Sequence, residues 1–260
     1  MLFQALVAVL SGVLAGFVLG LIGGGGSVLA TPLLLYVVGA SEPHVALGTG
    51  ALAVSINAYA NFIGHALKGN VVWRCAFVFS LVGTTGALLG STLGKLMNGQ
   101  ALLFLFGIVM ALVGALMLRP RIVTLATAPK IDRKSCIRAG LAALATGMAS
   151  GFFGIGGGFL IVPALILATG MPTIRAVGTS LLAVGTFGLA TALNYAASGL
   201  VDWQIAGEFL AGGLAGGMAG MQLSTRLGAN KDTLNRIFAV VIFTVAAYVL
   251  FRSGRSLVGH

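Results

Sequence analysis

Long apolar stretches separated by short polar segments run through the whole chain of 260 residues. Residues 2–22 carry no charged side chain, and residues 140–174 carry none over 35 positions. A helix of about 20 apolar residues is long enough to cross the hydrocarbon core of a bilayer. The stretches do not alternate between apolar and polar residues, as the strands of a membrane β-barrel do. The pattern therefore predicts an all-α, polytopic membrane protein.

Each half of the chain divides into five apolar pieces, which predicts about eight to ten membrane helical segments. The second piece of each half has only 12 or 13 residues. At 1.5 Å per residue such a helix is about 20 Å long, shorter than the roughly 30 Å hydrocarbon core. We expect these two pieces to be half helices, re-entrant segments or steeply cut spans. The ten pieces are residues 2–22, 27–39, 44–66, 73–97, 101–118, 137–153, 158–169, 173–197, 203–224 and 233–252.

The two halves repeat one pattern of residues. The segment Gly20–Pro32 reads GLIGGGGSVLATP, and Gly151–Pro163 reads GFFGIGGGFLIVP, 131 positions later. With a shift of 130 the match continues over many further pairs, among them Thr49 with Thr179 and Trp73 with Trp203. Chance similarity between apolar segments would not keep tryptophans and glycines in register over this distance. The chain is therefore predicted to contain two homologous repeats with glycine-broken short helices.

Charge predicts how the repeats lie in the membrane. The first repeat is expected over residues 1–118 and the second over residues 139–260, joined by a basic cytoplasmic linker over residues 119–138. If the first two pieces of each half form a hairpin, twelve basic residues lie on the cytoplasmic side and three outside. If those pieces instead form one broken span, the split is ten to five. Basic residues favour the cytoplasmic side, so inverted repeats are expected.

Composition excludes several other classes of protein. Hydrophobic residues make up 58% of the chain and charged residues only 8%, whereas soluble domains carry about 25% charge. The net charge of +10 comes from basic loops, and no basic groove interleaved with aromatic residues indicates nucleic acid binding. Paired carboxylates, a serine with histidine and acid, and metal-ligand spacing are not found in the sequence. We expect no enzyme, no cofactor and no metal site.

Glycines spaced by four predict close helix packing, because small residues at this spacing let helix backbones approach each other in lipid. Three such sets occur: Gly12, Gly16 and Gly20; Gly86, Gly90 and Gly94; and Gly212, Gly216 and Gly220.

Two glycine runs are different, because each lies just before a short apolar piece. Consecutive glycines disfavour a helix interior by about 1 kcal/mol each relative to alanine. A helix that begins there, inside the membrane, presents unpaired N–H groups and partial positive charge to an anion. Interrupted segments at matching positions of two halves indicate a transporter site. A tight turn between packed helices is the alternative. The candidate substrate-binding residues are Gly23, Gly24, Gly25, Gly26, Ser27, Gly154, Gly156, Gly157 and Gly158.

Polar side chains inside the apolar pieces supply further candidates. Asn57, Asn61 and His65 are four apart and share one helix face. They could line a substrate path or bond neighbouring helices. Three further hydroxyl candidates for the site are Thr49, Thr179 and Ser180. Glu208 is the one acid within an apolar piece, and two roles are open for it, a proton-coupling group or an interfacial side chain that reaches the membrane surface.

The paired motif resembles the sulfite-exporter family of membrane permeases (TauE/SafE), over nearly the whole chain. The features that carry the resemblance are Gly16–Pro32, Ala46–Gly50 and Gly69–Trp73, followed by Gly147–Pro163, Ala176–Ser180 and Gly199–Trp203. The first glycine run, GGGGS, departs from the family's GxGGG. The resemblance implies a multi-pass permease of a bacterial or archaeal inner membrane that moves sulfite, organosulfonates or related anions.

We therefore expect a permease for a small oxyanion that works by alternating access. The alternatives are an anion channel and a non-transporting scaffold subunit of a membrane complex. The expected partners are a small-anion substrate and the lipid bilayer, and assembly into a homo-oligomer is left open.

Overall fold

The computed structural model describes residues 2–22, 26–118, 133–154, 156–226 and 243–255. These residues are almost entirely helical, and no strand occurs among them. The helices are α1 (Leu2–Ile22), α2 (Gly26–Leu33), α3 (Pro43–Leu67), α4 (Trp73–Leu96), α5 (Gly99–Leu118), α6 (Arg133–Phe152), α7 (Gly158–Thr169), α8 (Thr173–Ala196), α9 (Trp203–Arg226) and α10, described over 243–255.

Four of these helices contain a segment that is long and apolar enough to cross a membrane, namely Phe3–Leu21, Pro43–Leu67, Trp73–Leu96 and Ile174–Ala196. The prediction of an all-helical, multi-pass membrane protein is therefore confirmed. Of the four, the segments in α3 and α8 bury the larger share of their surface inside the protein, so these two helices form its centre.

The boundaries of α6 differ from the prediction. The helix begins at Arg133, so the last six residues of the predicted linker are helical. Arginine and lysine are good helix formers, and their charge does not prevent a helix from extending beyond the apolar core. Residues 119–132 of the linker lie outside the described part of the chain.

The first two helices form a hairpin, as one of the two predicted arrangements requires. Gly26, at the start of α2, packs against Ala15 and Leu19 of α1. At the other end, Gln4 Nε2 of α1 donates a hydrogen bond to the Val38 carbonyl at 3.3 Å. The path from Gly26 to Val38 therefore runs back along α1. Its last five residues, Leu34–Val38, form a π-helical turn.

The third helices of the two halves, α3 and α8, cross each other in the middle of the protein. Ser55 Oγ of α3 donates to the Gly185 carbonyl of α8 at 2.7 Å. On one side of this crossing Gly48 lies against Leu200, and on the other side Gly178 lies against Asn70. Residue numbers therefore rise along α3 as they fall along α8, so the two helices are antiparallel. Antiparallel third helices are consistent with inverted repeats.

Glycines interlock the first helix of one half with the fourth helix of the other. A side chain at any of three glycines of α1 would overlap the backbone of α9: Gly12 at Phe209, Gly16 at Gly213 and Gly20 at Gly217. Likewise, side chains at Gly86, Gly90 and Gly94 of α4 would overlap the backbone of α6. Both pairs run parallel, and the prediction that these glycines allow close helix packing is confirmed.

Candidate functional site

The second glycine run forms the turn between α6 and α7. Gly154, Gly156 and Gly157 have φ angles of 63°, 67° and 65°. This left-handed region is costly for residues with a Cβ, so the turn depends on glycine. The helix α7 begins directly after it, at Gly158. The predicted start of a short helix at this run is therefore confirmed.

This turn lies at the centre of the crossing between α3 and α8. A Cβ atom at Gly156 would sit 3.3 Å from Val54 Cγ1 and 3.4 Å from Val184 Cγ1. Val54 is 11 residues from the start of α3 and 13 from its end, which is about 17 and 20 Å along the helix. If α3 spans the bilayer, the turn is near the midplane.

Ser150 adds a hydroxyl group at the start of α7. Its side chain is 1% exposed, and its Oγ atom has no hydrogen-bond partner among the described residues. A Cβ atom at Gly157 would lie 2.6 Å from this oxygen. The hydroxyl therefore sits directly beside the residue that precedes α7. Ser150 is not recognisable as a site residue from the sequence, because only the α6–α7 turn brings it back to a residue seven positions later.

The start of α7 concentrates hydrogen-bond donors. The N–H groups of Leu160 and Ile161 both donate to the Gly157 carbonyl, at 2.9 and 3.1 Å, and the Gly154 N–H donates to the Gly151 carbonyl at 3.1 Å. The first N–H groups of α7 have no acceptor within their own helix, and they lie together with the positive end of the helix dipole and the Ser150 hydroxyl. The described acids lie elsewhere: Glu42 and Asp202 adjoin helix starts, and Glu208 lies within α9. Such a point is suited to bind an anion.

The matching turn of the first half is only partly described. Gly23, Gly24 and Gly25 lie outside the described residues. Gly26 and Ser27 are buried at the start of α2, and Gly26 packs directly on α1.

Asn57 and Asn61 lie against α9. A Cβ atom at Gly213 or at Gly217 would collide with their side-chain amides, so both asparagines rest on glycine surfaces. Asn61 Nδ2 also donates to the Asn57 carbonyl at 2.9 Å. Neither asparagine is among the nearest neighbours of the described α6–α7 turn glycines. Their position fits the alternative of contacts between helices, and a role in lining a substrate path stays a prediction.

Thr49 and Thr179 join the two halves. The N–H of Asp202 donates to Thr49 Oγ1, and the N–H of Val72 donates to Thr179 Oγ1, each at 3.0 Å. The two N–H donors are 130 positions apart in the sequence, and so are the two threonine acceptors. The two bonds are therefore equivalent in the two halves. These hydroxyls hold the segments that lead into α9 and α4. Ser180 Oγ donates to the Val177 carbonyl within α8 at 2.8 Å.

Glu208 lies one turn after Gln204 on α9. Its carboxylate is partly exposed and accepts a hydrogen bond from Gln204 Nε2 at 3.1 Å. This placement suits an interfacial side chain, and its predicted role in proton coupling stays a prediction.

The long apolar helices define a multi-pass membrane protein. The chain matches the family described as "Sulfite exporter TauE/SafE" over residues 8–249, and it belongs to this family. The resemblance stated from the sequence is therefore confirmed, and so is the expectation that the protein is not an enzyme.

Several curated relatives are similar over almost their whole length. A "Probable membrane transporter protein" of Xylella fastidiosa (strain Temecula1) is 60% identical over 264 residues, covering 99% of this chain and 100% of the relative. The "Probable membrane transporter protein YunE" of Bacillus subtilis is 26% identical, covering 94% of this chain and 97% of the relative. A Haemophilus influenzae relative with the same general name is 27% identical, covering 93% and 96%. No solved structure matches the chain.

Proposed function

We propose that this transporter is a permease for small sulfur-containing oxyanions such as sulfite or organosulfonates, in the cytoplasmic membrane of a bacterium or archaeon. The observation that carries the proposal is the start of α7, where the buried Ser150 hydroxyl lies beside the Gly157 turn. This point offers several donors and no described acid. The choice of sulfur oxyanions follows the family to which the chain belongs.

Alternating access is the mechanism that this arrangement favours. The α6–α7 turn lies where α3 of one half crosses α8 of the other, next to Val54 and Val184. Movement of one half against the other would open the central site first to one side and then to the other. An anion channel would conduct without saturation or counterflow, and a scaffold subunit would show no flux.

The test is transport by the purified protein in proteoliposomes. Uptake of labelled sulfite, an organosulfonate and sulfate would be compared, with saturation and counterflow measured for each. Ser150→Ala removes one hydrogen bond to a charged group, which is worth about 1.5–3 kcal/mol. We expect the apparent affinity for the transported anion to fall by roughly 10- to 100-fold.

A matched control is Ser80→Ala in α4. The Ser80 hydroxyl is also buried and has no partner among the described residues, but it belongs to another helix. Normal affinity in Ser150→Ala, or an equal loss in Ser80→Ala, would reject the site. Valine at Gly156, which the sequence alone would suggest as a probe, is less suitable because a β-branched residue is strained at a φ of 67°.

A further inference from the structure

His65 and Tyr195 occupy equivalent places in the two halves. They are 130 positions apart, and each lies ten residues beyond the crossing of Ser55 with Gly185. Ten helical residues span about 15 Å. Because α3 and α8 are antiparallel, the two side chains lie in opposite directions from the centre. Their separation of about 30 Å is the thickness of the hydrocarbon core.

Both side chains are buried and polar. Tyr195 is 0% exposed and His65 is 8% exposed. The Tyr195 hydroxyl and His65 Nδ1 have no hydrogen-bond partner among the described residues. A buried polar group without a partner costs about 1–3 kcal/mol. A ligand or a water molecule that supplies the missing hydrogen bond would offset this cost.

Each of the two side chains has further polar groups between it and the centre. On α8, Thr191 lies one turn before Tyr195 on the same face, and its buried hydroxyl also has no described partner. On α3, Asn61 lies one turn before His65, where its side-chain amide rests on Gly217 of α9. Polar side chains therefore follow each of the two helices outward from the crossing.

Positive charge lies beside the outer ends of both sets of polar side chains. Lys95 Nζ is 6.0 Å from the centre of the Tyr195 ring. Its hydrogen-bond acceptors are the carbonyl and side-chain oxygens of Asn194 and the Ser198 hydroxyl, which are all neutral. Lys68 ends α3 three residues after His65. Among the described residues neither lysine has an acidic partner, and buried hydrogen-bonding groups next to such cations favour anions over cations.

We infer that Tyr195 and His65 are two further anion-contact sites, one toward each membrane face, at the ends of a path that follows α3 and α8. The ligand class is a small oxyanion, which accepts hydrogen bonds from the phenol O–H and the imidazole N–H. This inference rests on the proposed transport of anions past the α6–α7 turn.

Sided labelling tests the path. Tyr195→Cys and His65→Cys would be made in a chain in which Cys75 and Cys136 are alanine, in right-side-out and inside-out vesicles. A membrane-impermeant anionic methanethiosulfonate should modify the two cysteines from opposite sides. The control is Phe209→Cys, a buried position in the α1–α9 interface, which should stay unmodified. Modification from the same side, no reaction at either site, or equal reaction of the control would overturn the path.

Removal of one hydroxyl tests the contact itself. Tyr195→Phe should raise the apparent KM for sulfite uptake by roughly ten-fold, because it deletes a donor and keeps the ring. The control is Tyr248→Phe. The Tyr248 hydroxyl accepts a hydrogen bond from Arg252 on an exposed face, so this variant should transport normally. Unchanged transport in Tyr195→Phe would reject Tyr195 as a contact.

The two proposals can fail separately. Opposite-side labelling together with a fully active Ser150→Ala variant would keep the path and reject the central site. Same-side labelling together with an impaired Ser150→Ala variant would reject the path and keep the central site.

Discussion

Replacing Gly16 by alanine adds one methyl group where α1 packs directly on the backbone of α9. The methyl carbon would lie 2.7 Å from the Cα atom of Gly213, whereas carbon atoms pack at about 3.5–4.0 Å. The obstructing atoms are backbone, so no side chain can rotate away. The two helices would have to separate by roughly 1 Å, which forfeits a quarter to a half of the dispersion energy of the contacting pairs.

The net effect can be bounded from these numbers. Overpacking of this kind costs about 1–3 kcal/mol, and alanine regains at most about 1 kcal/mol through its helix propensity. We expect Gly16→Ala to destabilise the protein by up to about 2 kcal/mol, and by about 1–3 kcal/mol relative to a glycine-to-alanine change that meets no neighbour. At Gly207 of α9 nothing lies within 4 Å of an added Cβ. Gly207→Ala should therefore leave stability unchanged or raise it by up to about 1 kcal/mol.

The assay is unfolding of the purified protein in mixed detergent micelles with increasing dodecyl sulfate, followed by circular dichroism. The comparison between the two variants matters more than either midpoint, because both replace a helical glycine by alanine. If Gly16→Ala and Gly207→Ala unfold at the same midpoint, α1 and α9 do not interlock as described.

Three further predictions concern topology, coupling and the polar contacts of α4. In intact cells, a cysteine at Ser256 should react with an impermeant reagent from outside and one at Thr127 should not; reaction of both on one side would exclude inverted repeats. Glu208→Gln should stay folded and change the pH profile of transport if Glu208 carries the coupling proton, and an unchanged profile would leave it as an interfacial side chain. Lys95→Met removes three hydrogen bonds, two to Asn194 of α8 and one to Ser198 just after it. The variant should therefore unfold at a lower detergent midpoint than the wild type, with Lys68→Met as the control.

Helix positions were largely predictable from the sequence. The predicted pieces 44–66 and 158–169 became Pro43–Leu67 and Gly158–Thr169. Lipid leaves backbone polar groups no partner except each other, so an apolar stretch in a membrane forms a helix until glycine, proline or charge ends it. The π-helical turn at Leu34–Val38 was not predicted, and no local pattern of residues indicates it.

The candidate site was predictable only in part. The glycine run marked the start of α7, because four glycines within five residues disfavour a continuous helix. Thr49 and Thr179 also stood out as polar residues, but their hydrogen bonds reach across to the other half. Ser150 did not stand out at all. Which hydroxyl meets a ligand and which meets a backbone N–H depends on tertiary partners that a single sequence does not reveal.

The exchange of partners between the halves has a consequence for the protein's origin. The first helix of each half packs on the fourth helix of the other half, and not on its own. A single ancestral repeat would therefore have left both glycine faces uncovered. Two copies inserted in opposite directions would have covered these glycine faces, because the first helix of each copy would have packed on the fourth helix of the other. In a single chain the two halves are always present in equal numbers, so the helices that cross between them need not meet by collision in the membrane.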